Sequence, residues 1–259
     1  MQKLPLKKVK EILEFAEELG IDNVVVTGGE PFLYGRELTE VLKTCRRLGF
    51  NTRINSNGSI VDEEIFSAME KYNVGIRVSL YGASEESYEK VTGVRAFKKV
   101  TNFLSKISKR NILLSIGVVL LKGLNEHEAH KMVELAHKFT KYIDIYDVFF
   151  DSLDGRPTKE YMLPSKPNIE EEAWQHPAST IKREILHPLA PCPLGAPFIS
   201  SRGDVRPCLF VGFSYGNVFK DDFEKIKRRM QRYNLRKVLS PSLPGAGGLC
   251  NYFPARVFD

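Results

Sequence analysis

No apolar run in the chain approaches the ~18 residues that a membrane-spanning helix needs. The start, Met1-Gln-Lys-Leu-Pro5, lacks a signal-peptide core and passes straight into a helical pattern. Both absences point to a cytoplasmic protein with no membrane partner. Cysteine is scarce: Cys45, Cys192, Cys208 and Cys250 are all there are. In a reducing compartment they should be thiols or metal ligands rather than disulfides. A dinucleotide-binding glycine fingerprint, a Gly-rich phosphate loop with its lysine, and a hydrolase-like Ser/His/Asp arrangement are also missing.

What is present suffices for a substantial core, with 42% hydrophobic and 27% charged residues in a chain of 259. The net charge of +6 permits an anionic partner without requiring one. Lys225, Lys227, Arg228, Arg229 and Arg232 crowd one late helix. Without aromatic interleaving or a binding module they read as a solvated face, so no nucleic-acid partner is expected. Cys45 falls in the helical stripe Leu38, Val41, Leu42, Cys45, Leu48 and reads as a small core residue. His127, His130 and His137 flank an apolar stripe and read as surface residues.

From residue 5 to about 150 helical and strand patterns alternate. Helices show 3.6-residue apolar spacing, as in Val9, Ile12, Leu13, Ala16 and Leu19, or Phe97, Val100, Leu104 and Ile107. The β-rich runs are Asn23–Thr27, Thr52–Ser56, Gly75–Leu80, Ile112–Leu120 and Tyr142–Phe150. Such repeats imply parallel strands with right-handed crossovers, here part of a barrel. Arg53, Asn55 and Asn57 alternate with Ile54 and Ser56, and Arg77 and Ser79 alternate with Ile76, Val78 and Leu80. Helices outside take the apolar face, so the polar residues should line the lumen. A polar lumen implies water or a ligand within it.

Strand C-termini in a parallel barrel share one face, where sites are built. There the sequence places Gly28-Gly29-Glu30-Pro31, Ser56-Asn57-Gly58 and Ser79-Leu80-Tyr81-Gly82. Paired glycines let backbone approach a ligand, Glu30 offers a carboxylate for an ammonium group, and Pro31 fixes the turn. Asn57 and Ser79 offer neutral hydrogen-bonding groups. Arg53 and Arg77 follow from strand alternation as carboxylate contacts for substrate or cofactor, or as members of a structural ion pair.

These strand ends, with Leu121-Lys122-Gly123-Leu124-Asn125-Glu126 after the fifth strand, resemble the radical S-adenosylmethionine (SAM) enzymes. The resemblance is to the subgroup holding the molybdenum-cofactor cyclase and enzymes with a twitch or SPASM extension. It implies an α/β fold: an open, partial (β/α)6 TIM-like barrel missing its first strand, with a small C-terminal twitch/SPASM-like α+β extension. It further implies that Gly28, Gly29, Glu30 and Pro31 bind the methionine amine of SAM. Asn57 and Ser79 would meet its ribose or carboxylate. Implied partners are a peptide or small-molecule substrate and an electron donor such as ferredoxin or flavodoxin. The expected domains are residues 1–153 (barrel), 154–190 (proline-rich linker) and 191–259 (extension).

One departure concerns the family's Cys-x3-Cys-x2-Cys, whose thiolates hold the catalytic [4Fe-4S] cluster: no cysteine precedes Cys45. The expectation is either a truncated radical oxidoreductase or maturase, favoured by the intact Glu30 motif, or a SAM- or peptide-binding accessory protein without radical chemistry. The chain ends Ala255-Arg-Val-Phe-Asp rather than in the cyclase's Arg/Gly-rich tail, which argues against that substrate. The segment Cys192 to Pro207-Cys208, with Gly203 at a hairpin turn, resembles the opening of a twitch or SPASM domain. The resemblance makes Cys192, Cys208 and Cys250 ligands of an auxiliary [4Fe-4S] cluster, with a zinc site or free thiols as alternatives.

Overall fold

The computed structural model describes residues 3–147, 161, 197–207 and 213–232. Two compact units result, Asp22–Lys182 and a second that joins Met1–Ile21 to Arg183–Asp259.

The first unit is a five-stranded parallel sheet in the order β1 to β5: β1 Asn23–Val26, β2 Asn51–Ser56, β3 Gly75–Leu80, β4 Leu114–Leu120 and β5 Ile143–Asp147. Sequential order with every neighbour parallel requires a crossover after each strand, and these are α2 (Arg36–Arg47), α3 (Glu63–Tyr72), α4 (Glu85–Thr92) with α5 (Phe97–Ile107), and α6 (Ala129–His137). The expected open α/β sheet is what forms, and it does not close on itself among the described residues. The last predicted strand runs past Asp147, and its residues 148–150 lie outside the described residues.

Local signals set the helix boundaries. Asp62 caps α3, its Oδ1 accepting from Ile65 N at 3.0 Å, and Asn73 ends that helix in the left-handed region at φ 56°. Ser84 caps α4 in a capping box with Ser87, and Gly93 ends it at φ 73°. One face of the sheet is sealed by helices: Ile54, Ile76, Val78, Leu80, Ile116, Val118 and Ile143 have no exposure. Phe32, Phe66 and Phe103 meet edge to face at centroid distances of 5.9, 5.4 and 5.2 Å. Each such buried side chain contributes roughly 1.5–3 kcal/mol.

The second unit contains α1 (Leu6–Glu18), a small antiparallel sheet of β6 (Phe198–Ile199), β7 (Asp204–Arg206) and β8 (Gly216–Asn217), and α7 (Phe223–Arg232). The sequence reading has two strands here; β8 is the third, a two-residue strand too short to show a period. Ile12, Phe15 and Leu19 of α1 bury with Val205, Tyr215, Val218, Ile226 and Met230. Phe15 stacks on Phe223 at 4.6 Å. The expected boundary, with residues 1–153 as one domain, therefore differs at its N-terminal end from the observed packing. On α7, Lys225 and Arg229 both pair with Asp221 (2.7 and 3.5 Å) and Arg229 also donates to the Tyr215 carbonyl.

Candidate functional site

The turn after β1 runs through Gly28 and Gly29 at φ 100° and 54°, a region that L side chains rarely adopt. Glu30 then caps a short 3-10 helix, Pro31–Tyr34, with Pro31 at its first position. Phe32 anchors this turn by inserting into the aromatic core described above. The Glu30 side chain, expected to face an incoming ammonium, is 4% exposed and already engaged. Its Oε1 accepts from Phe32 N at 3.1 Å and from Ser56 Oγ at 2.8 Å, and its Oε2 accepts from Asn57 N at 2.7 Å. A carboxylate offers about four acceptor positions. Three are filled by neutral donors, and no cation among the described residues pairs with the buried carboxylate. Ser56, placed by alternation on the apolar face, is the partner that sequence reasoning missed.

Asn57 follows directly. Its Oδ1 accepts from Ser59 N at 2.8 Å, while its Nδ2 donates to no described residue. Gly58 turns at φ 67°, and a Cβ there would lie 2.8 Å from Val78 Cγ1. Half-buried Ser79, at the end of β3, carries a hydroxyl with no partner among the described residues. Gly82 sits flush on the start of α4, where a Cβ would lie 2.6 Å from Tyr88 N.

The segment Leu121–Glu126 has a structural role. Asn125 is fully buried; its Oδ1 accepts from Leu121 N at 2.7 Å, and its Nδ2 donates to the carbonyls of Tyr81 (2.7 Å) and Val119 (2.8 Å). It thereby brackets the ends of β3 and β4, as Glu30 brackets those of β1 and β2. Glu128 adds a tie, accepting from Ala83 N at 3.1 Å.

The register puts the polar residues together on the face opposite the helices. Asn55 lies beside Arg77 and Ser115, and Ser79 beside Gly117 and Asp144. Arg77 on β3 pairs with Asp144 on β5, reaching across β4 where only Ser115 and Gly117 intervene. Asp144 was signalled by the alternation Ile143, Asp144, Ile145 and went unread. Arg53 makes no ion pair or hydrogen bond with a described residue, and its Nε is buried. Burial lowers the pKa of both guanidiniums, and Asp144 opposes that shift.

A family model described as the radical SAM superfamily matches residues 1–136, more than half of the chain. The chain belongs to the radical SAM superfamily. A probable GTP 3',8-cyclase of Aeropyrum pernix is 30% identical over 174 residues, 67% of this chain and 48% of that protein. The chain spans about half the length of the curated relatives it matches. Among solved structures, Streptococcus suis SuiB bound to precursor peptide SuiA superposes with a TM-score of 0.65 at 17% identity, covering 95% of this chain and 62% of SuiB. Native anSMEcpe with bound AdoMet does so with 0.60 at 14% identity, covering 90% and 74%. At these identities the superpositions speak to the fold.

Radical SAM proteins use SAM and a [4Fe-4S] cluster, and the described residues fit the first group better than the second. Glu30 offers a desolvated anion, a Cβ built at Gly28 would meet no described residue within 4 Å apart from its chain neighbours, and Asn57 Nδ2 and Ser79 Oγ have unused hydrogen-bonding capacity among the described residues. For a cluster, no trio of metal-binding side chains converges among the described residues. His127, His130 and His137 are exposed. Cys192, Cys208 and Cys250 lie outside the described residues. No helix among the described residues is long and apolar enough to cross a membrane.

Cys45 is a core residue with no exposure, and burial pushes its thiol up to about 11. Burial, reinforced by Tyr81 and Glu30, also raises the Tyr88 phenol. Both groups favour their protonated forms in the fold. The Cys45 contribution is complete below the ordinary thiol value of 9.0 and is lost as pH rises toward 11, whereas that of Tyr88 begins to fall only above the ordinary phenol value of 10.0. The denaturation midpoint should therefore fall between pH ~8 and ~10.5, with about 2–3 kcal/mol of the loss due to Cys45. Repeating the measurement on Cys45→Ala checks this: an equally steep decline would exclude the thiol as its source.

Proposed function

We propose that this chain is the cofactor- and substrate-binding part of a radical SAM iron–sulfur oxidoreductase or maturase, working in the cytoplasm on a peptide or small molecule. One observation carries the reading: a buried Glu30 carboxylate, held only by neutral donors, beside a backbone turn open at Gly28. An ammonium group supplies the missing positive charge and takes the fourth acceptor position, strengthened by the low dielectric around it. Gly28, Gly29, Glu30 and Pro31 would hold the methionine amine of SAM, and Asn57 and Ser79 its ribose or carboxylate. SAM beside a reduced [4Fe-4S] cluster supplies this superfamily's radical chemistry, but the described residues offer no ligands for the cluster, so no radical step is derived. SuiB bound to precursor peptide SuiA and anSMEcpe with bound AdoMet and Cp18Cys peptide support a peptide substrate on this fold.

The observed β6–β7 hairpin, pairing Phe198 with Arg206, supports a twitch/SPASM-like extension with Cys192, Cys208 and Cys250 as auxiliary-cluster ligands and ferredoxin or flavodoxin as donor. The accessory reading, in which SAM or a peptide is bound without radical chemistry, rests on the same Glu30 turn and needs no cluster ligand. Calorimetry with SAM tests the shared core of both readings. Saturable binding is expected, weakened about tenfold in Ser79→Ala, as one lost hydrogen bond implies. Heats no larger than dilution for the wild type would sink the proposal, as would equal affinity in the variant.

A further inference from the structure

Two buried polar groups on the sheet face opposite the helices are left without hydrogen-bond partners. Arg53 Nε is buried with none, and two residues along the same strand Asn55 Oδ1 is buried with no donor. Buried orphans are few in native proteins, and a guanidinium costs more to leave unpaired than an amide. This pair shares one face with Arg77, Ser79 and Asp144. Asp144 is the carboxylate that acts on both arginines, and the two arginines repel each other. Arg77 and Asp144 pair with each other, and Arg53 has no anion of its own among the described residues. The missing group must bring negative charge to Arg53 and, beside it, an N–H or O–H for Asn55.

We propose that the substrate docks here through a carboxylate on Arg53 with an adjacent donor to Asn55 Oδ1. An acidic residue of a peptide supplies both, its side chain meeting the guanidinium and its main-chain N–H meeting the amide oxygen. The donor that Asn55 Oδ1 needs beside the anion fits a carboxylate carried next to a main-chain N–H, and an ionised triphosphate has no such donor. The site is distinct from that of the SAM amine: Arg53 precedes Asn57 by four strand residues, ~13 Å along β2. The assignment rests on the reading that a substrate lies beside SAM in this lumen.

The test uses the full chain, with N-acetyl-aspartate N-methylamide as probe, its asparagine counterpart as control, and inorganic triphosphate as competitor. Nitrogen NMR of the arginine Nε–H groups follows Arg53, whose signal is assigned by its loss in Arg53→Lys. The aspartate probe should shift that signal saturably, and the asparagine analogue should bind about tenfold more weakly, since charge-assisted pairs are roughly twice as strong as neutral ones. Arg53→Met should abolish binding of the aspartate probe while SAM calorimetry and the circular dichroism spectrum match the wild type. Three results overturn the proposal: no saturable shift, equal binding of the asparagine analogue, or tighter binding of triphosphate. Loss of SAM binding in a folded Arg53→Met variant also overturns it, by assigning Arg53 to the cofactor. Wild-type protein that binds the aspartate probe but not SAM upholds the carboxylate site and removes the cofactor reading instead.

Discussion

Replacing Glu30 with alanine should cost the first unit about 3–5 kcal/mol and abolish SAM binding. The variant leaves Phe32 N, Ser56 Oγ and Asn57 N without their acceptor. Each buried unsatisfied donor costs about 1–3 kcal/mol. Relief of a buried charge works the other way, because an ion taken out of water carries a desolvation penalty of several kcal/mol. Breaking such a site from one side is nevertheless destabilising, since the donors stay where the backbone holds them. Glu30→Gln separates the two roles. Its oxygen can keep Phe32 and Ser56, but its amide then faces the Asn57 N–H. A loss of about 1–3 kcal/mol is expected, together with loss of ammonium affinity. Urea denaturation followed by SAM calorimetry checks both variants; an unchanged Glu30→Ala midpoint would show that the bracket is not structural.

The second large effect belongs to Asn125. Asn125→Asp keeps an oxygen for Leu121 N but turns another toward the carbonyls of Tyr81 and Val119, which both need a donor. Like poles then meet in a site with no exposure. The expected loss is about 3–5 kcal/mol, the scale of an uncompensated buried charge. Asn125→Leu, matched in size, leaves three backbone groups unpaired without adding charge and should cost less. Thermal unfolding of the two variants gives the order; Asp as stable as Leu would contradict the donor assignment to Nδ2.

The strands were legible because alternation and burial are properties of single residues. Ile54, Ile76 and Val78 announce one face, and Arg53, Asn55 and Arg77 the other. The brackets were not legible, because Glu30 with Ser56 and Asn125 with Tyr81 join residues far apart in the chain and follow no period. The motif residues stood out, while their bonds to neighbouring strands did not. The stripe Ile12, Phe15, Leu19 predicts a helix, but the same stripe suits a barrel or the small C-terminal sheet. β8 was too short to read, and Cys192, Cys208 and Cys250 lie outside the described residues.

The glycine at 117 takes on meaning from its place in the register. Arg77 and Asp144 are separated by 67 positions in the chain and by a whole strand in the sheet, yet they meet. The ion pair is a strut passing over β4, and it needs clearance that Ser115 and Gly117 provide. On a sheet that does not close among the described residues, such a strut ties β3 to β5 from the inside and braces the curl that a hoop of strands would otherwise supply. Position 117 is thus constrained by a contact it does not make. A bulky residue there would cut the strut while leaving both charged partners intact, so the three positions should vary together in any lineage that keeps the strut.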